Sequence, residues 1–108
     1  MMLMGMTLNC DKEGFLRQLQ DWTPEAATQL AANEDLQLTQ EHWEVIYLVR
    51  RYYQTFNISP PTRVLVKIVG DQLGPTKGRS IHLMQLFGGK PAKLVAKIAG
   101  LPKPTNCD

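Results

Sequence analysis

Thr39-Gln40-Glu41-His42-Trp43-Glu44-Val45-Ile46-Tyr47-Leu48-Val49-Arg50-Arg51-Tyr52-Tyr53-Gln54-Thr55-Phe56 is the stretch on which the fold turns. Val45, Ile46, Val49, Tyr53 and Phe56 recur at steps of three and four residues, the spacing that lines up side chains on one face of an α-helix. Trp43 falls near the edge of that face, and Arg50 and Arg51 fall toward solvent. Thr39 offers an N-cap, and Glu41 and Glu44 set negative charge near the positive end of the helix dipole. The reading is a helix from 40 to about 56 with one apolar side, which needs similar elements to cover it.

The sequence downstream supplies them. Ser59-Pro60-Pro61 ends a loop and opens a third helix with the stripe Val64, Leu65, Ile68, Val69 and Leu73. Gly74-Pro75-Thr76-Lys77-Gly78 breaks the pattern. Ser80 then caps a short helix carrying Ile81, Leu83, Met84, Leu86 and Phe87, and Gly88-Gly89 stops it. Pro91 opens the last helix, whose apolar side is Leu94, Val95, Ile98 and Ala99. Gly100 closes it where a left-handed residue is needed.

Upstream, Thr23-Pro24 reads as N-cap and first helical residue of a helix to about Asn33, with Ala26, Ala27, Leu30 and Ala31 as its stripe. Before it, the turn-forming cluster Asn9-Cys10-Asp11-Lys12-Glu13-Gly14 lies between Met6-Thr7-Leu8 and Phe15-Leu16, the pattern of a small β-hairpin. The expected fold is therefore α+β and mainly helical, a small N-terminal β-hairpin packed on an array of about five helices.

The whole chain fits one core. Its 108 residues match the common length of a single domain, and 44% apolar against 20% charged residues is a globular balance that excludes wholesale disorder. The run Met1-Met2-Leu3-Met4-Gly5-Met6 lacks a basic flank and is too short for a secretory signal or a spanning helix, so a cytoplasmic protein with no membrane partner is expected. In that compartment Cys10 and Cys107 are expected as thiols. With His42 and His82 isolated, no paired ligand spacing for zinc exists. Net charge is +2, but residues 1–60 carry four basic and eight acidic side chains and residues 61–108 carry eight and two. Such a basic half can steer the molecule toward an acidic protein surface or RNA.

Beyond Gly100 the chain reads Leu101-Pro102-Lys103-Pro104-Thr105-Asn106-Cys107-Asp108. Two prolines forbid helix and favour an extended path of about 3.1 Å per residue, a reach of about 25 Å for eight residues. The division expected is a domain over 1–100 and a flexible arm over 101–108 that carries the reactive cysteine. No carboxylate pair, Ser/His/Asp set or glycine-rich phosphate loop is present, which leaves the terminal thiol as the chemical group. Its thiolate is the nucleophile. Asp108 and the terminal carboxylate disfavour that anion, whereas Lys103 or the basic half would favour it if the arm folds back.

The segment Lys97-Ile98-Ala99-Gly100-Leu101-Pro102-Lys103-Pro104-Thr105-Asn106-Cys107 resembles the C-terminal signature of the DsrC/TusE family, in which Ile-Ala-Gly-Leu-Pro-Lys-Pro is followed by two residues and cysteine. The resemblance spans nearly the whole chain. It includes Asp11 to Leu16, Trp22, Leu38 to Ile46, Tyr52-Tyr53, Pro60, Arg63, Leu65, Lys67, Lys77-Gly78, Ser80, Leu83, Leu86-Phe87 and Pro91-Ala92-Lys93. It implies a β-hairpin on a helical array with a mobile arm, and a persulfide sulfur carrier that acts through Cys107 without a cofactor. TusE-like members take sulfur from an upstream TusBCD-type complex of three proteins and pass it to the tRNA 2-thiouridylase, possibly with tRNA bound, that thiolates the wobble uridine. Members that work with dissimilatory sulfite reductase use a second cysteine eleven residues before the terminal one. That position is Ala96 here, so the chain is closer to the single-cysteine, TusE-like branch. Cys10 lies where the family pattern has no cysteine. Arg79, His82, Met84 and Gly88-Gly89-Lys90 also depart from it. Arg63, Lys93 and Lys103 are candidates to steady the arm or its anion.

A helix-turn-helix-like nucleic-acid-binding regulatory module is the alternative from another class, since helices at about 40–56 and 60–73 precede a short basic one. Its base-edge candidates are only Arg79, His82 and Gln85, and a half-domain charge of this size is modest for a specific binder. A scaffold that docks the thiouridylase without chemistry is a further alternative. His42, in the first turn beside Trp43, is expected to make a structural hydrogen bond.

Overall fold

A computed structural model describes residues 7–105 of the chain. Within them five α-helices follow one another: α1 (Pro24–Ala32), α2 (Gln40–Phe56), α3 (Thr62–Leu73), α4 (Ser80–Phe87) and α5 (Pro91–Ile98), preceded by a single 3-10 turn at Leu19–Asp21. The starts of α1, α2 and α5 follow from local chemistry, whereas Ser80, expected to cap α4, is its first residue after Arg79. Thr23 Oγ1 accepts from the Ala26 N–H at 3.0 Å with Pro24 next in line, and Pro91 opens α5, where a missing N–H costs nothing. At the start of α2 the Thr39 N–H donates to His42 Nδ1 at 3.0 Å, and His42 Nε2 lies 2.8 Å from the Leu86 carbonyl. An acceptor role at Nδ1 and a donor role at Nε2 fix one neutral tautomer, so this buried ring ties α2 to α4. The structural hydrogen bond expected of His42 is present.

α5 is the hub. It packs against α1, α2, α3 and α4, and Ala92, Val95, Ala96 and Ile98 are all buried along it. The alanines let neighbouring helices approach closely, while Val95 and Ile98 each contribute about 1.5 to 3 kcal/mol of transfer free energy. Val45, Ile46, Leu48 and Val49 of α2, Leu65 and Val69 of α3, and Leu83 and Phe87 of α4 complete the core.

The α+β expectation is overturned: among the described residues there is no strand and no sheet, and the N-terminal β-hairpin is not formed. The turn itself exists. Cys10 and Leu16 make one isolated antiparallel bridge, flanked by Asp11 N–H to Phe15 carbonyl at 2.8 Å and Arg17 N–H to Asn9 carbonyl at 2.9 Å. Pairing stops there because the second limb coils into the 3-10 turn that delivers Trp22 to the end of α5. Met6, at the start of the expected first limb, lies outside the described residues.

Two side chains of α2 also depart from the periodic reading. Phe56 is 58% exposed, because α2 is 17 residues long and α5 only eight, so the last turn of α2 outruns the core beneath it. Arg50 points inward rather than to solvent, for a reason that becomes clear at the foot of the arm. Among the described residues no helix is long and apolar enough to cross a membrane.

Candidate functional site: the foot of the C-terminal arm

The end of α5 decides where the arm begins. A helix leaves its last four carbonyls without intrahelical partners, and here every one is supplied. Gly100 adopts φ +73, which lets its N–H reach the Lys97 carbonyl at 3.1 Å and the Leu101 N–H reach the Ala96 carbonyl at 2.9 Å. The Trp22 indole N–H donates to the Ile98 carbonyl at 2.8 Å, and Arg50 Nη1 donates to the Ala99 carbonyl at 2.6 Å. The Arg50 guanidinium also lies 3.9 Å above the Trp22 ring, so one cation closes the negative end of the helix and covers an aromatic face. Burial lowers the pKa of Arg50, opposed by the nearby Tyr47, yet guanidinium remains charged at any physiological pH.

With α5 closed in this way the chain reverses and runs back along the body. Leu101 is buried, the Pro102 carbonyl accepts from Ser59 Oγ at 2.6 Å, and Pro104 is buried again. Lys103 Nζ lies 3.2 and 3.3 Å from the two carboxylate oxygens of Glu13. Lys93 Nζ, from α5, reaches the same carboxylate at 3.4 Å. The hydrogen bond from Lys103 is the largest influence holding the Glu13 carboxyl below its ordinary range, and Lys93 adds to it. Glu13 is presented by a fixed turn, since the Asp11 carboxylate accepts from the Glu13 N–H at 2.9 Å and the Phe15 N–H at 3.0 Å, with Gly14 at φ +93. Those backbone bonds, Phe15 first, pull the Asp11 carboxyl below its ordinary range as well.

Of the residues singled out from sequence, Lys93 and Lys103 therefore converge on one carboxylate, while Arg63 stands apart, exposed in the first turn of α3. Cys107 lies outside the described residues, as do Asn106 and Asp108. Ala96, eleven residues before Cys107, is sealed in the core. Cys10 is half-buried beside Leu30, Asn33, Glu34 and Lys97 in a cleft of about 260 Å³. Burial first, then Asp11, pushes its thiol pKa up, against the pull of Arg17 and Lys97, which leaves less of it as thiolate near neutral pH than an ordinary cysteine has. Sequence reading missed Glu13, Ser59, Arg50 and Trp22 as the fastenings of the arm. Each acts on a partner 43 to 90 residues away, so no local spacing announces it. Of the base-edge candidates of the nucleic-acid alternative, Arg79 and Gln85 are exposed while His82 turns its Nε2 into the protein.

The helical array has counterparts among solved structures. The solution structure of DsrC from Allochromatium vinosum superposes with a TM-score of 0.84 at 47% identity, covering 92% of this chain and 88% of that one. The oxidized γ-subunit of dissimilatory sulfite reductase (DsrC) from Archaeoglobus fulgidus gives a TM-score of 0.82 at 37% identity over 96% and 95%. Residues 2–107 match the family described as DsrC like protein. The chain is 48% identical to a sulfurtransferase TusE homolog of Haemophilus influenzae and 46% identical to sulfurtransferase TusE of Salmonella typhimurium, each over 95% of this chain and 94% of the relative. The chain belongs to the DsrC-like family, and within it is a sulfurtransferase of the relay type, a carrier of sulfur.

Proposed function

We propose that Cys107 carries the sulfur, taking it as a persulfide from an upstream TusBCD-type complex and handing it, in the cytoplasm, to a tRNA 2-thiouridylase for wobble-uridine thiolation. The observation that carries this reading is that the family match runs through residue 107 while the other cysteine, Cys10, is half-buried with a raised pKa. The Cys107 thiolate attacks the terminal sulfur of a donor persulfide. A new S–S bond forms on Cys107, the donor S–S bond breaks, and the donor cysteine leaves as thiolate; the acceptor repeats the exchange in turn. One sulfur atom moves and no external oxidant or reductant is consumed. In this reading Lys103 and Lys93 act by steadying the arm through Glu13, while Arg63 lies apart from them and adds only to the basic charge of this half of the chain.

The test is mass spectrometry of the intact protein and its C-terminal peptide after exposure to a sulfur-loaded donor under non-reducing conditions. Wild type is expected to gain one reductant-labile sulfur atom on the Cys107 peptide, and Cys107→Ser to gain none. Sulfur on Cys10, or on neither cysteine, defeats the proposal.

A further inference from the structure

We propose that Glu13 is a positioning residue for sulfur transfer: its carboxylate is the latch that holds the arm on the body through Lys103 and so sets how Cys107 is offered to a protein donor. This rests on the reading of Cys107 as the carrier. The geometry is specific. Glu13 is the only carboxylate bound to the arm among the described residues, and it meets Lys103 through both oxygens. A second cation, Lys93, meets the same carboxylate at 3.4 Å, and the Asp11-capped turn fixes the backbone beneath it. Leu101, Pro104 and the Ser59 contact to Pro102 fasten the same segment without charge.

The latch adds a charged fastening to the uncharged ones that hold residues 101–104 on the body. Ordering a segment before encounter removes part of the entropic cost of binding, so the latched arm is pre-set for a partner that reads both the arm and the body beside it. A small persulfide has no body contacts to align and gains nothing from the latch. Because Glu13 and Lys103 are both partly exposed, the bias is moderate, on the order of a two- to five-fold effect for such a pair.

The experiment compares wild type, Glu13→Gln, Glu13→Lys and the charge-swapped Glu13→Lys/Lys103→Glu protein. Two donors are used, glutathione persulfide and a sulfur-loaded TusBCD-type complex. Glu13 sits in an exposed turn, and unchanged circular dichroism is the check that each variant is folded. The heteronuclear NOE of the Lys103 amide is expected to fall in Glu13→Gln and further in Glu13→Lys, and to recover in the swap. The half-saturating concentration of the protein donor should rise about two- to five-fold in the single variants at unchanged maximal rate, and return in the swap. The rate with glutathione persulfide should not move in the two single variants. Equal NOE values and equal half-saturation in wild type and Glu13→Lys overturn the latch while leaving Cys107 as carrier. Because Lys93 also faces position 13, the swap is judged against Glu13→Lys, and failure of both quantities to move back toward wild type from that variant also overturns the latch. If wild type takes no sulfur on Cys107 from either donor, the carrier reading falls and the latch's purpose falls with it.

Discussion

At the level of single residues, the sharpest demand is made by Gly100. Its φ of +73 lies in the left-handed region, and a Cβ there would come within 2.5 Å of Trp22 Cδ1. The two penalties compound, because Trp22 cannot retreat without giving up its hydrogen bond to the Ile98 carbonyl. Gly100→Ala is expected to cost about 2 to 4 kcal/mol, the sum of a left-handed Ala and a local overpacking, read as a lowered urea midpoint at unchanged slope. A loss below about 0.5 kcal/mol would mean the indole moves freely. The need for glycine here was legible in sequence from its place after the last apolar residue of α5. What Trp22 and Arg50 do was not: a helix wheel assigns Arg50 to solvent, and only the unpaired Ala99 carbonyl, contributed from 49 residues away, explains why it turns inward. Glu13 is hidden for the same reason, since Lys103 lies 90 residues from it.

Among the elements, what could be read from sequence and what could not divide along local and non-local causes. The five helices were legible because Thr23, Thr39 and Pro91 start them and glycines stop several of them, all within a turn of the boundary. The hairpin was misread because the turn at Asn9 to Gly14 has the right residues, but strand pairing needs a second limb that stays extended. The recruitment of Trp22 by α5 curls that limb after Arg17. The loop between α3 and α4 shows a similar non-local constraint. Gly78 lies directly on Gly70 of α3, so a Cβ on Gly78 would overlap the Gly70 Cα, and Lys77 pins the loop to Glu44 on α2. By contrast, a Cβ on Gly89 would meet nothing within 4 Å. Gly78→Ala should therefore lower the melting temperature, at a cost of about 1 to 3 kcal/mol, whereas Gly89→Ala should stay within about 0.5 kcal/mol of wild type. Equal effects of the two substitutions would show that the loop does not rest on α3.

For the molecule as a whole, the N-terminal turn and the C-terminal arm form one electrostatic unit laid over an apolar core, and the two should respond to solution conditions separately from the helices. The Glu13 and Asp11 carboxyls both lie below their ordinary range in the fold, so the folded state favours their ionised forms. The stabilisation is complete above the ordinary carboxylate range near pH 4 and drains away as pH falls through the lowered values. Glu13 is faced by Lys103 from the arm and Lys93 from α5, and Asp11 by the amides of Phe15, Glu13 and Gly14 and by Arg17. None of these partners loses its charge or hydrogen-bonding capacity on acidification, so the carboxyls alone set the transition. Salt acts differently. At about 1 M it shortens the screening length to about 3 Å, which weakens the ion pairs of Glu13 but leaves the backbone hydrogen bonds of Asp11 in place. The heteronuclear NOE of Lys103 should thus fall in high salt with the amides of residues 13–15 still protected from exchange. In acid, the Lys103 NOE and the protection of residues 13–15 should fall together while the amides of α2 and α3 hold. Acid loosening that spreads through α2 at the same pH would place the two carboxyls under the core rather than over it, and a Lys103 NOE unchanged in both conditions would assign the fastening of the arm to Leu101, Ser59 and Pro104 alone.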